Sequence, residues 1–219
     1  MYNWKNQKIK GSNEKWCCLL CSLVLAAFVT GIVTWQTGVL AQARVQQHLA
    51  QEVLRFHILA NSDSAEDQSL KLKIRDQVLD YLKDRMPDGM DVEQTTDWMR
   101  RHTGELEVLG RQTAEEAGYD YPVSAAVTTC YFPEKTYGDV TFPAGNYEAL
   151  RIEIGAAKGH NWWCVLYPSL CFLDVTNAVV PEEGKQELKS VLTEEEYTQI
   201  TAASDFKIKW YFVERMKEK

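Results

Sequence analysis

Residues able to do chemistry gather at three places in this chain of 219 residues. The first is His160-Asn161-Trp162-Trp163-Cys164, behind the glycine-rich stretch Gly155–Gly159. A nucleophilic cysteine needs a neighbouring base, and Cys, His and Asn are the set that papain-type cysteine peptidases use. In those enzymes the three converge from distant parts of the chain. Here a glycine turn enters a strand, where residues four apart lie about 13 Å apart. An exported hydrolase with Cys164 as nucleophile and His160 as base is therefore an alternative and not the main reading.

The second place is Arg55-Phe56-His57 running into Asn61-Ser62-Asp63-Ser64 and on to Asp67-Gln68. Carboxylates, amides and hydroxyls at a strand-to-helix turn can hold a cation or an oxyanion. Helix capping needs the same residue types, and the spacing of an EF-hand is missing. The third place is the set His48, His57, His102 and His160. No pair has H-E-x-x-H or H-x-H spacing. G-x-S-x-G, P-loop and dinucleotide-binding patterns are also absent. No catalytic residue, cofactor, metal or small-molecule substrate is expected.

Composition narrows the classes further. With 45% hydrophobic and 25% charged residues, collagen-like and disordered chains are excluded. Residues 1–43 hold four lysines against one glutamate, and the remainder holds 20 basic against 30 acidic residues. A part that acidic repels phosphate backbones, so no nucleic-acid partner is expected.

Trp16 to Trp35 is 20 residues without a charge. At about 1.5 Å per residue a helix of that length spans a hydrocarbon core. Its flanking tryptophans suit the interfaces, and the preceding lysines keep the N-terminus in the cytoplasm. The expectation is a basic and apolar export segment over 1–43 and one extracytoplasmic domain over 44–219. Ala41-Gln42-Ala43 would suit a leader peptidase, whereas the length of the apolar run favours a retained anchor. Both readings stay open. Cys164 and Cys171 bracket a short loop around Pro168, and export permits a disulfide between them; two reduced core thiols are the other reading. Cys130 is expected to be buried.

The elements follow from periodicity. Val53–Ala60 alternates as a strand. Ser64 or Asp63 caps a helix reaching Met86, with Leu70, Ile74, Val78 and Leu82 on one face. A second helix runs from Asp91 to Ala117. Val123–Phe132, Thr136–Phe142, Tyr147–Ile154 and Trp162–Tyr167 read as strands. Residues 176–192 read as a loop with a marginal helix, Thr193–Glu196 opens a short helix, and Phe206–Phe212 reads as a last strand. The fold class is α+β: a mostly antiparallel sheet with helices packed on one face, preceded by one hydrophobic N-terminal helix. Trp162 and Trp163 must face opposite ways, one into the core and one outward as an interface anchor.

Two stretches carry a resemblance. One is Arg55-x4-Ala60-Asn61-Ser62-Asp63-x3-Asp67-Gln68-x2-Lys71-x3-Arg75-Asp76. The other runs from Pro143-Ala-Gly145 through Lys158-Gly159-x-Asn161-Trp162-Trp163-Cys164 to Pro168-x-Leu170-Cys171-Phe172. Together, behind an export segment, they resemble the stage II sporulation protein R family of endospore-forming bacteria. Ser169 departs from the expected second proline, which loosens the turn. The resemblance implies a signal made in the forespore and exported into the space between the two membranes. There it would trigger a membrane-embedded aspartic peptidase of the mother cell to mature pro-sigma-E. It brings no catalytic residues. The surface meeting that peptidase is expected around Arg55, Asn61, Ser62, Asp63, Asp67, Asn161, Trp162 and Trp163. A non-catalytic envelope protein is the third reading.

Overall fold

The computed structural model describes residues 4–172 and 180–201. Helix α1 spans Trp4–Glu52, and the chain divides into one compact unit up to Val45 and a second from Gln46. In the first unit Leu23, Val24, Phe28 and Trp35 are exposed. The hydroxyls of Thr30, Thr34 and Thr37 donate back to carbonyls of their own helix. That leaves few polar groups seeking water, as apolar surroundings require. The segment is long and apolar enough to cross a membrane.

The second unit is built on a four-stranded sheet. Strand β1 (Leu54–Leu59) is followed by α2 (Ala65–Arg85), α3 (Val92–Glu116), β2 (Val123–Phe132), β3 (Lys135–Tyr137), β4 (Val140–Phe142), β5 (Gly145–Ile154) and β6 (Asn161–Tyr167). The sheet order is β2-β5-β1-β6. β1 runs parallel to β5, while β1–β6 and β2–β5 are antiparallel. The sheet is thus mixed, with its one parallel pairing at the centre.

One face of the sheet carries α2 and α3. Leu54, Phe56 and Ile58 of β1, Leu150 and Ile152 of β5, and Leu70, Ile74, Val78 and Leu82 of α2 close a common core with Met99 and Leu106 of α3. Burying each such side chain contributes roughly 1.5–3 kcal/mol. Helix starts are set locally. Ser64 Oγ accepts the amide of Asp67 at α2, and Asp91 and Gln94 form a reciprocal capping box at α3.

The opposite face of β1 is polar in sequence and buried in fact. Arg55 is fully buried, its guanidinium lying over the rings of Phe132, Phe142, Tyr147 and Tyr137. It donates from Nε to the Cys164 carbonyl (3.2 Å) and from Nη2 to the Tyr137 hydroxyl (3.1 Å). Burial lowers its pKa, and the four ring faces supply the attraction that a carboxylate would otherwise give. His57, 5% exposed, stacks on Trp163 with ring centres 4.9 Å apart. Arg55, expected at a partner surface, has no surface to offer.

Several local expectations change. Thr136–Phe142 is not one strand but the β3–β4 hairpin, reversed at Gly138-Asp139 with Gly138 at φ 58°. The marginal helix expected within 176–192 is the ten-residue α4, Glu182–Val191, and the Thr193–Glu196 box opens a helix over 194–201 as expected. Cys130 is only half-buried, because it sits on the edge strand β2. The strand expected at Phe206–Phe212 lies outside the described residues.

The interior histidine gives a pH prediction. Burial first, then the Arg151 guanidinium and Arg55, push His57 down to about 4. The unfolded ring titrates near 6.5, so the unfolded state takes the proton first. The stabilisation from keeping this ring neutral is complete above pH 6.5 and is lost as pH falls towards 4. The loss amounts to about 3 kcal/mol. His57→Phe should flatten the urea midpoint between pH 6.5 and 4 and leave the steeper acid limb below pH 4. An unchanged slope in the variant would contradict this origin.

Candidate functional site

The two motif stretches meet at the C-terminal end of β1. Where β1 leaves the sheet, the backbone of Ala60 and Asn61 accepts the amides of Gly159 (2.9 Å) and Lys158 (3.2 Å) from the β5–β6 turn. The Asn61 side chain lies between the two loops. Its Oδ1 accepts the Ala156 amide (2.9 Å), and its Nδ2 donates to Asp67 Oδ2 (2.8 Å). Ser62 Oγ donates to the same carboxylate oxygen at 2.5 Å. These two bonds, Ser62 first, hold the Asp67 carboxyl below the usual range.

Two glycines make the approach possible. A Cβ on Gly159 would stand 2.2 Å from the Ser62 carbonyl oxygen, and one on Gly155 would stand 2.4 Å from Asn61 Oδ1. Gly155 is also left-handed, at φ 57°. No other residue type leaves room for both contacts.

Asp63 and His160 form the exposed crest of this clasp. Asp63 Oδ1 accepts the backbone amide of His160 (2.6 Å) and pairs with its ring Nδ1. Those hydrogen bonds lower the Asp63 pKa. The two side chains remain 54% and 79% exposed. Beneath them Lys71 Nζ, almost wholly buried, donates to the His160 carbonyl (2.9 Å) and to Gln68 Oε1 (2.6 Å). Burial lowers the Lys71 pKa.

The expected partner-contact residues therefore separate into three groups. Asn61, Ser62 and Asp67 hold the clasp together from within. Asp63, and His160 beside it, stand at the surface. Trp162 and Trp163 are both half-buried on opposite faces of β6, so neither is wholly in the core nor freely offered. Trp162 packs edge-on to Phe56 under Arg75, and Trp163 stacks on His57. Asn161 lies across from Leu59. Sequence reasoning misses Lys71 and His160 as members of this joint. A surplus is the available signal: four capping-type residues precede α2, Ser64 alone caps it, Asn61 and Asp63 bond to the second loop, and Ser62 bonds to Asp67.

The cysteine constellation does not assemble. Cys164 is 5% exposed and joined by a disulfide to Cys171, with Cα atoms 5.6 Å apart, while His160 is committed to Asp63. Ser169, where a proline was expected, donates its amide to Glu187 of α4 (2.9 Å), a bond that proline could not make. Among the described residues no three His, Cys, Asp or Glu side chains gather as a metal site.

Comparison with known proteins gives the family. The model of the stage II sporulation protein R family matches residues 50–177. Stage II sporulation protein R of Bacillus subtilis (strain 168) is 35% identical over 191 residues, covering 86% of this chain and 84% of that protein. No solved structure matches. The chain belongs to the stage II sporulation protein R family.

The clasp predicts a sharp sensitivity. Gly159→Ala pushes a methyl group into the Ser62 backbone and should destabilise by about 2–3 kcal/mol. Asn61→Ala leaves the Ala156 amide unpaired and should cost about 1–3 kcal/mol. Combined, they should cost less than their sum, because both break one joint. Denaturant melts of the singles and the double check this; strict additivity would mean that the loops are held independently.

Proposed function

We propose that this protein is an exported, non-catalytic signal of sporulation that activates a membrane-embedded aspartic peptidase to process pro-sigma-E. The observation that carries the reading is the family membership over most of the chain, and the resemblance implies this role. The joining of the family's two motif stretches into one surface supports it. The apolar helix near the N-terminus suits export as a cleaved leader or a retained anchor. The disulfide removes the thiolate that a Cys164 hydrolase would need, which favours a binding role over the cysteine-hydrolase reading.

The partner surface on this reading is the exposed Asp63–His160 crest with the edges of Trp162 and Trp163 beside it. Asn61, Ser62, Asp67 and Asn161 act by holding that surface in shape. An activator must bind the active form of its target better than the inactive form, since equal affinity shifts nothing. Moving an equilibrium from 1:99 to even needs a preference of about a hundredfold, roughly 2.7 kcal/mol. One indole edge and one charge-assisted pair are of the right order to supply that.

Coexpression in a non-sporulating host with the same organism's candidate peptidase and pro-sigma-E tests the reading. The precursor should shorten only when this protein and the peptidase's catalytic aspartate are both present. An unshortened precursor, with all three proteins present and this domain exported, would overturn it. In the same assay His160→Ala should slow processing several-fold with little change in melting temperature, because the clasp bonds through the His160 backbone persist. Cys164→Ser and Cys171→Ser should each lower stability by roughly 2–3 kcal/mol, the value for so short a loop, and the double variant no further. A hydrolase would instead lose activity with Cys164→Ser alone.

A further inference from the structure

Strand β2 forms one edge of the sheet, and among the described residues no strand lies on its outer side. The run Val123–Phe132 contains no charged residue, glycine or proline, and it pairs with β5 in unbroken register from Val123–Ile154 to Phe132–Gly145. Natural sheets protect such edges with charges, prolines, bulges or very short strands. Among the described residues the single protection is at the start, where Glu107 Oε1 accepts the Ala125 amide (3.0 Å). The other edge strand, β6, begins beside the Asp63–His160 clasp and is followed by Pro168 and the disulfide-bonded turn.

The Ala125 bond also fixes the direction of the whole edge. Its N–H points away from β5, and backbone direction alternates along a strand. The N–H and C=O of Val127, Thr129 and Tyr131 therefore point outward as well. Among the described residues no strand pairs with them. Thr128 and Thr129 are exposed, and Tyr131 is 64% exposed.

We infer that β2 is a self-association edge: two copies of this chain pair their β2 strands antiparallel about a two-fold axis at Thr129, making one continuous sheet. The strand selects that occupant and that register. Centred on Thr129, each outward donor of Val127, Thr129 and Tyr131 meets an outward acceptor of the second copy. Val127 then lies beside the second copy's Tyr131, and Thr129 beside its own equivalent. Aromatic with β-branched and Thr with Thr are stabilising cross-strand pairs. Centring two residues earlier would use the Ala125 amide, which Glu107 already holds. Centring two residues later would bring in Pro133, which has no N–H. The domain is acidic, but no like charges oppose each other within the strand itself.

The test uses the full-length chain in membranes, with Cys17, Cys18 and Cys21 changed to Ala and Cys130 to Ser. Across a hydrogen-bonded antiparallel pair the Cα atoms lie about 5.5 Å apart, within the span a disulfide bridges. Thr129→Cys should give a covalent dimer on mild oxidation, and Ser124→Cys, roughly 30 Å from its own equivalent in this register, should give none. In detergent, Thr129→Pro should convert a dimeric sedimenting species to half its mass. Its melting temperature should hold, because the lost N–H faces away from β5. Equal crosslinking at both positions, no crosslinking at either, or a Thr129→Cys adduct to a different protein would each overturn the inference. So would a wild-type chain that sediments as a monomer.

Discussion

The end of β1 and the turn between β5 and β6 occupy the same small volume, and the surface proposed to act depends on how they share it. Asn61 settles the matter by bonding to both loops at once, to the Ala156 amide on one side and to the Asp67 carboxylate on the other. Gly155 and Gly159 supply the space. Because Asp67 belongs to the first turn of α2, the same hydrogen bonds also tie the helix to the sheet. The clasp joins three elements through a few buried polar groups that are nearly all satisfied, the condition under which a polar network specifies one geometry.

Beneath this end, β1 is the strand that everything else covers. Its Leu54, Phe56 and Ile58 face the helices, and its Arg55 and His57 face a cage of rings on the other side. A guanidinium held by aromatic faces and a neutral imidazole stacked on an indole bury polar groups without a carboxylate partner among them. The arrangement keeps the strand rigid where it delivers Asn61, Ser62 and Asp63 to the surface. The exposed pair Asp63 and His160 is thereby fixed in place by the groups around and beneath it.

Much of this is legible in the sequence. The four-residue recurrence from Leu70 to Leu82 and the capping residue Ser64 determine α2 almost to the residue. The β1 and β5 strands follow from alternation, and the α+β class follows from the order of elements. What fails does so for physical reasons. The β3 and β4 strands have three residues each, too short for a period to show, so the Gly138-Asp139 reversal passes as strand. The clasp joins residues 95 apart in sequence, and local capping explains the same residues well enough. Arg55 looks like a surface residue because an alternating strand normally wets one face; that β1 lies between two neighbours and under a hairpin is a tertiary fact. The same holds for the parallel β1–β5 pairing, while the other two pairings of the sheet are antiparallel as expected.

The central claim, that the two motif stretches form one ordered joint, is tested most directly by amide hydrogen exchange on the full-length protein. The amides of Ala156, Lys158, Gly159 and His160 should exchange as slowly as those of β5, and Asn61→Ala should release the four together while β5 stays protected. Exchange of these four amides at the rate of a free loop in the unaltered protein would contradict that claim.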